Sequence, residues 1–173
     1  AQMFYTAGFR KGDVVINPLA HDLVPGVTGG DEGLHELGCV VVPTGVGNRD
    51  LQLEAMRQLK VSGYLGTPSF LMLLLQRAEE KGYIFGRDLF LRNAFFSAEP
   101  YTPELRKKFQ ESYPMINTTD GYGSGEFNVW AWECNQKNGM HISEDVIVEI
   151  VDPETGKQLR PREVGEIVVT LLS

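Results

Sequence analysis

Three short stretches combine residue types that plain structure seldom brings together. Ser97-Ala98-Glu99-Pro100 follows an apolar run that ends at Phe96. In an open α/β sheet, ligands gather beyond the carboxyl ends of strands, and small residues with a proline leave room for a flat ring against backbone. The plainer alternative is a tight strand-to-helix connection. Asp120-Gly121-Tyr122-Gly123-Ser124-Gly125-Glu126 follows a second strand-like run, and its three glycines in five residues predict a loop free to take positive φ and to admit a ligand close to the backbone. Tyr122 offers a planar face to a purine, Asp120 an acceptor for an exocyclic amine, and Glu126 an oxygen ligand for a hard cation such as Mg²⁺. A glycine-rich loop is also often no more than a loop. Cys134 and His141, with six residues between them, supply half of a tetrahedral zinc site. Taken alone, that pair reads more plainly as a buried cysteine and a surface histidine. His21 and His35 lack partners at a telling spacing, and no serine elbow, HExxH, GxGxxG or Walker-type loop is present.

The elements that must position these residues are legible in outline. Asp13–Asn17 is a short apolar strand, Pro25–Leu37 a glycine-containing helix stopped by Gly38, and Cys39–Pro43 a β-branched strand expected to be buried on both faces. Asn48 is a good N-cap, with Asp50 in the first turn where the helix dipole favours it. Leu51, Ala55, Met56 and Leu59 then mark the apolar face of that helix. Thr67-Pro68 reads as a cap followed by proline at the first helical position, opening a helix to about Lys81 whose apolar run Phe70–Leu75 is core. Leu89–Phe96 is strand-like, Thr102-Pro103-Glu104 opens a helix ending near Ser112, and Met115–Thr119 is a strand. Val146–Val151 and Gly165–Leu172, joined through Asp152-Pro153-Glu154-Thr155-Gly156, form a hairpin or meander. The fold class is α/β, a mixed sheet with flanking helices (residues 1–127) plus a mainly antiparallel β segment (128–173), in one domain.

Composition bounds the function. The chain has 173 residues with 42% hydrophobic and 23% charged content, ordinary for one globular domain. A net charge of −7 argues against a nucleic-acid partner but not against a nucleotide, which needs only local donors and a metal. No apolar run approaches the roughly 20 residues of a membrane span, and residues 1–10 lack the pattern of a secretion signal. Two cysteines are too few for a disulfide framework, so a reducing cytoplasm is the expected location. Residues 1–13 read as the last turns of a helix, and the final residues stop within a strand. A piece of a longer protein is the expectation.

At these motifs the sequence resembles the adenylate-forming enzymes, and phenylacetate-CoA ligases among them. Phe9-Arg10-Lys11-Gly12-Asp13 looks like that family's turn into a strand. Ser97–Tyr101 is similar to its AEPW stretch, and Asp120–Glu126 to its D-x-Y-G-x-[S/T]-E motif. Glu133-Cys134, Gly139-Met140-His141, Glu144-Asp145, Asp152–Gly156 and Gly165-Glu166 follow its order. The resemblance implies that a carboxylic acid is activated by ATP as an acyl adenylate, with Mg²⁺, and passed to CoA. It implies that Ser97, Ala98, Glu99 and Pro100 line the adenine, beside Gly121 and Gly123. Tyr122 would stack on the ring and Asp120 would bond its amino group. Glu126 would bind Mg²⁺ as the catalytic carboxylate. Val24, Gly26, Ser124 and Gly125 would border the acyl pocket. Cys134 and His141 would match the first two ligands of a Zn²⁺ site found in some members. A homodimer is common in the family. The sequence departs from the pattern at Gly125, where a hydroxyl residue is usual, at Gly121 and at Tyr101. The phosphate loop is expected before Ala1, and the ribose-binding aspartate and small mobile domain after Ser173, so the chain alone is expected to be inactive. Two alternatives stay open: a non-catalytic nucleotide-binding or interaction module derived from such a ligase, and an adenylating enzyme with an acceptor other than CoA.

Overall fold

The computed structural model describes residues 1–21 and 25–172. A short helix α1 (Gln2–Thr6) leads into β1 (Val14–Asn17), α2 (Pro25–Leu37), β2 (Val40–Pro43), α3 (Arg49–Gln58), β3 (Gly63–Gly66), α4 (Pro68–Glu80), β4 (Asn93–Phe96), α5 (Pro103–Ser112) and β5 (Asn117–Ser124). Then follow β6 (Asn128–Trp132), β7 (His141–Ile142), β8 (Val146–Val151) and β9 (Glu166–Leu171). The main sheet has seven strands in the order β2-β1-β3-β4-β5-β6-β7, and β8 and β9 form a separate antiparallel pair. The first five are parallel, and the order reverses between β1 and β3, as in a doubly wound sheet. β6 and β7 continue the sheet in antiparallel fashion.

Successive strand residues supply opposite faces. Ile16, Tyr64 and Phe96 pack with Leu53, Met56, Leu71, Leu74 and Phe109 against α3, α4 and α5. Their neighbours Val15, Leu65 and Phe95 pack with Phe4, Phe9, Leu34 and Trp132 on the α1 and α2 side. The sheet is thus a middle layer between two cores. A third, smaller cluster joins Trp130 and Ala131 to Val146 and ties the β8–β9 pair to the sheet.

Local capping chemistry holds as expected. The Asn48 side chain accepts from the Asp50 and Leu51 amides, and the Thr67 and Thr102 hydroxyls cap α4 and α5, each with proline next. Phe70–Leu75 is core at Leu71, Met72, Leu74 and Leu75, while Leu73 is exposed. Three expectations are corrected. β2 is an edge strand with exposed ends, because only β1 pairs with it. α3 buries Gln52, Leu53 and Met56 and leaves Leu51 and Leu59 exposed. Gln52 makes that face possible, since its amide donates to the Gly45 carbonyl at 2.8 Å. β3 was not foreseen at all.

Candidate functional site

β5 changes partner halfway along. Asn117–Asp120 pair in parallel with β4, and Gly121–Ser124 pair in antiparallel with β6, with a register shift between Tyr122 and Gly123. The expected glycine loop is therefore an extended strand closed by the three-residue turn Gly125–Phe127, and Gly121, Gly123 and Gly125 all lack positive φ. The glycines serve close approach instead. A Cβ on Gly121 would overlap the Phe95 ring, and one on Gly123 would overlap the Asn128 carbonyl. Glycine here brings β5 against β4 and β6 without a side chain between.

A cavity of about 750 Å³ opens on the α2 side of this edge, where the parallel strands end. Ser97 and Ala98 line it from the exit of β4; Gly123, Ser124 and Gly125 line it from the end of β5. The opposite wall is one face of α2, where Gly26, Gly29, Gly30 and Gly33 recur at helical spacing. A Cβ at Gly29 would come within 2.8 Å of Asn128 Nδ2, and one at Gly30 within 2.9 Å of Leu65 Cδ2. That i, i+3, i+4, i+7 pattern is the signal in the sequence that could have found this wall. Phe4, Phe95, Phe127 and Trp130 supply aromatic surface. Two non-glycine residues on the wall hold left-handed backbone, Ala98 at φ 64° and Asn128 at φ 59°. Such strain costs about 1 kcal/mol or more for a residue like alanine and persists where surroundings impose it.

Six expected site residues thus meet at one cavity: Gly26, Ser97, Ala98, Gly123, Ser124 and Gly125. Others stand apart from its lining. Glu99 accepts from the Ser69 hydroxyl at 2.5 Å at the start of α4, and Pro100 is exposed. Gly121 is buried against Phe95, which places Asp120 and Tyr122 on the opposite, α5-side face of β5. Tyr122 is half exposed and stands edge-on to Trp130, with ring centroids 5.1 Å apart. Burial and the nearby Glu133 carboxylate push Asp120 up to about 6. Glu126 projects from the turn into solvent, and hydrogen bonds from its own amide and from Ser124 lower its carboxyl below the usual range. Val24 lies outside the described residues.

An ionised, exposed carboxylate at a hairpin tip fits a hard cation that takes its remaining ligands from phosphate and water. Zinc is another matter. Cys134 is half-buried and accepts the Gln136 amide, while His141 is exposed on β7. Among the described residues no group of three or more His, Cys, Asp or Glu is placed to hold a metal, and two ligands alone fill half of a tetrahedral site.

Two polar groupings escaped the sequence reading. At the end of β1 the buried Asn17 amide donates to Asp31 Oδ1 at 2.7 Å, and His21 Nε2 lies 3.0 Å from Asp31 Oδ2. The ten residues from His21 to Asp31 follow no helical or strand period, so spacing could not reveal the pair. Beside Asp120, Arg106 on α5 grips Glu133, just past β6, at 2.9 and 3.0 Å.

Known proteins align with this arrangement along its length. Residues 1–170 match the family described as AMP-binding enzyme. The phenylacetate-coenzyme A ligase of Pseudomonas putida is 37% identical over 177 aligned positions, covering all of this chain and 40% of its own length. The same enzyme of Thermus thermophilus is 31% identical over all of this chain and 39% of its own. A crystal structure of 2-hydroxyisobutyryl-CoA ligase with 2-HIB-AMP and CoA superposes with a TM-score of 0.87 at 25% identity, over 98% of this chain and 38% of that one. The chain thus spans about 40% of the length of the curated relatives it matches.

Proposed function

Because this chain belongs to the AMP-binding enzyme family, matched over residues 1–170, we propose that it forms the adenylate-handling part of an ATP-dependent, AMP-forming acid–CoA ligase. A substrate carboxylate oxygen bonds to the α-phosphorus of ATP, and pyrophosphate leaves. The CoA sulfur then bonds to the acyl carbon, its proton passes to solvent, and AMP leaves. Both steps ask the protein mainly for positioning and charge neutralisation.

One observation carries the reading. The ends of β4 and β5 open onto the same 750 Å³ cavity, walled by glycines and a strained Ala98 rather than filled by side chains. That volume is within the usual range for small-molecule sites. On this reading Ser97–Pro100 border the adenine, Tyr122 stacks on it and Asp120 accepts from its amino group. Gly26, Ser124 and Gly125 border the acyl group, as does Val24, two residues before Gly26 in sequence. The aromatic wall of Phe95, Phe127 and Trp130 favours an aryl acid. Glu126 would hold Mg²⁺, which when bound neutralises phosphate charge. Residues 1–127 and 128–173 act as α/β and mainly β portions of one domain. Turnover needs parts of the ligase beyond this chain, and we expect none from residues 1–173 alone.

Pyrophosphate release by the complete protein, given ATP and an aryl acid, tests the reaction. Glu126→Ala should abolish that release, and undiminished release would remove the metal role. Gly125 motivates a second reading, a nucleotide-binding module without catalysis. Calorimetry separates the two: saturable AMP binding with pyrophosphate release supports the ligase, and AMP binding without release supports the module.

A further inference from the structure

The switch point of β5 is held by side chains as well as by the ladder. Asp120 pairs with Phe96 on one side, and beyond it Gly121 pairs with Trp132 on the other. At this junction the Asp120 amide donates to Glu133 Oε2 at 3.0 Å, and the Glu133 amide donates to the Asp120 carbonyl at 2.8 Å. Arg106 Nη2 donates to both oxygens of the same carboxylate, with side chains only 22% and 10% exposed. The other face of the guanidinium lies 4.4 Å from the Tyr101 ring centroid, and the Tyr101 hydroxyl bonds Thr118 Oγ1 at 2.8 Å. Tyr101 directly follows Pro100. One ion pair therefore contacts Asp120 through its amide and Tyr101, the residue that follows the Ser97–Pro100 segment.

We propose that Arg106 and Glu133 are positioning residues that lock the Ser97–Tyr101 segment and Asp120 into one register, and so set the preference for adenine. This rests on the adenine role given to Asp120 above. Stability alone is a poor reason for such a pair. Removing two charges from water costs about as much as their attraction returns, and Arg106 Nη1 is buried with no partner among the described residues. Charge balance is a better reason. Asp120 faces Glu133 from the end of β6, Arg106 from α5 and its neighbour Gly121 amide, with Lys137 beyond, close to Arg106 and Glu133. Burial and Glu133 already favour its protonated form, and Arg106 opposes them. Without Arg106, Asp120 would hold its proton more readily and become a weaker acceptor for an amine.

The experiment compares ATP with ITP, which lacks the exocyclic amine, in the complete ligase. Arg106→Met, Glu133→Gln and the double variant are assayed for kcat/KM with each nucleotide. The clamp predicts a loss of roughly tenfold with ATP in Arg106→Met and in the double variant, the scale of one charge-assisted hydrogen bond, and little change with ITP. Glu133→Gln, which removes a charge that favours the proton on Asp120, should lose less. The double variant removes the uncompensated buried charge, so it should regain the stability either single change loses while its ATP preference stays low. A pair that only stabilises the fold would instead move both nucleotides together and recover fully in the double variant, which overturns the inference. A parent enzyme that does not prefer ATP over ITP overturns the Asp120 assignment itself, and the clamp with it. A preference that survives in all three variants overturns the clamp alone.

Discussion

The two ends of the parallel sheet are built to opposite rules. At the amino ends every strand is tied. Asp13, before β1, is buried and accepts from Ser62 Oγ at 2.7 Å, from Arg92 Nη2 at 2.7 Å and from the Arg10 amide at 2.8 Å. Those partners stand just before β3, just before β4 and at the turn into β1, so one carboxylate joins three strands. Asn93 and Asn117, which open β4 and β5, donate to the Gly8 and Ala7 carbonyls behind α1. At the carboxyl ends there is a cavity, a glycine wall, two strained backbones and a guanidinium nitrogen without a partner among the described residues. The amino ends are closed by side-chain hydrogen bonds, while the carboxyl ends open onto a cavity. A sheet can be open at one edge because it is closed at the other.

Breaking the closed end should have the largest effect on stability and the least on chemistry. Asp13→Ala leaves the Ser62 hydroxyl and the Arg10 amide short of a partner in a buried place. A loss of about 3 kcal/mol is expected, from one to three per unsatisfied group. Denaturant midpoints measure it. AMP affinity of the fraction that remains folded should be unchanged. A variant that keeps its stability and loses affinity would reverse the roles assigned to the two ends.

The same contrast explains what the sequence disclosed. Caps are local chemistry between residues two or three apart, so Asn48, Thr67-Pro68 and Thr102-Pro103 could be read directly and all cap their helices. β3 could not be read, because Gly63-Tyr64-Leu65-Gly66 is half glycine and glycine is depleted in strands. It is a strand because β1 and β4 pair with it on either side, and it is glycine at both ends because Phe9 and Val15 crowd position 63 and the Tyr64 ring crowds position 66. Residues 120–126 form an extended strand and a short turn rather than the open loop that their glycines suggest. A glycine signals either positive φ or close approach, and sequence does not say which. Arg106 and Glu133 are 27 residues apart, meet only through the β5–β6 hairpin, and carry no local signature. The face of α3 was misread for a related reason: Gln52 looks solvent-facing until the Gly45 carbonyl is placed beside it.

A middle-sized effect belongs at the open end. The carboxyl of Asp120 lies at about 6 in the folded chain against an ordinary 3.8. Its protonated form therefore adds stability that is complete below about pH 4 and is lost as pH rises through about 6. Asp120→Asn has no charge to bury. Its stability should exceed that of the parent above pH 6, by on the order of 1–2 kcal/mol after allowing for solvent screening, and should match it near pH 4. AMP affinity moves the other way. In the parent it should fall as pH drops from 7.5 to 5, because the amine loses an ionised acceptor, and in Asp120→Asn it should fall less, by the titration of the AMP phosphate alone. Parallel pH curves for the two proteins would remove Asp120 from the nucleotide site.

The smallest change tests Gly125, one of the positions where the 120–126 motif departs from the pattern it resembles. Gly125 has ordinary backbone φ, and a Cβ there meets nothing within 4 Å. Gly125→Ser should therefore cost less than about 0.5 kcal/mol, as surface changes usually do. Contrast Gly123, two residues earlier, where a Cβ would strike the Asn128 carbonyl and force β5 from β6. Stability near that of the parent with a higher kcat for pyrophosphate release would mean that the added hydroxyl reaches the phosphates, and that the open end gains by filling. Unchanged kcat with unchanged stability would mean that the turn holds phosphate through backbone amides alone. The glycine would then be a working variant of the motif rather than a loss from it.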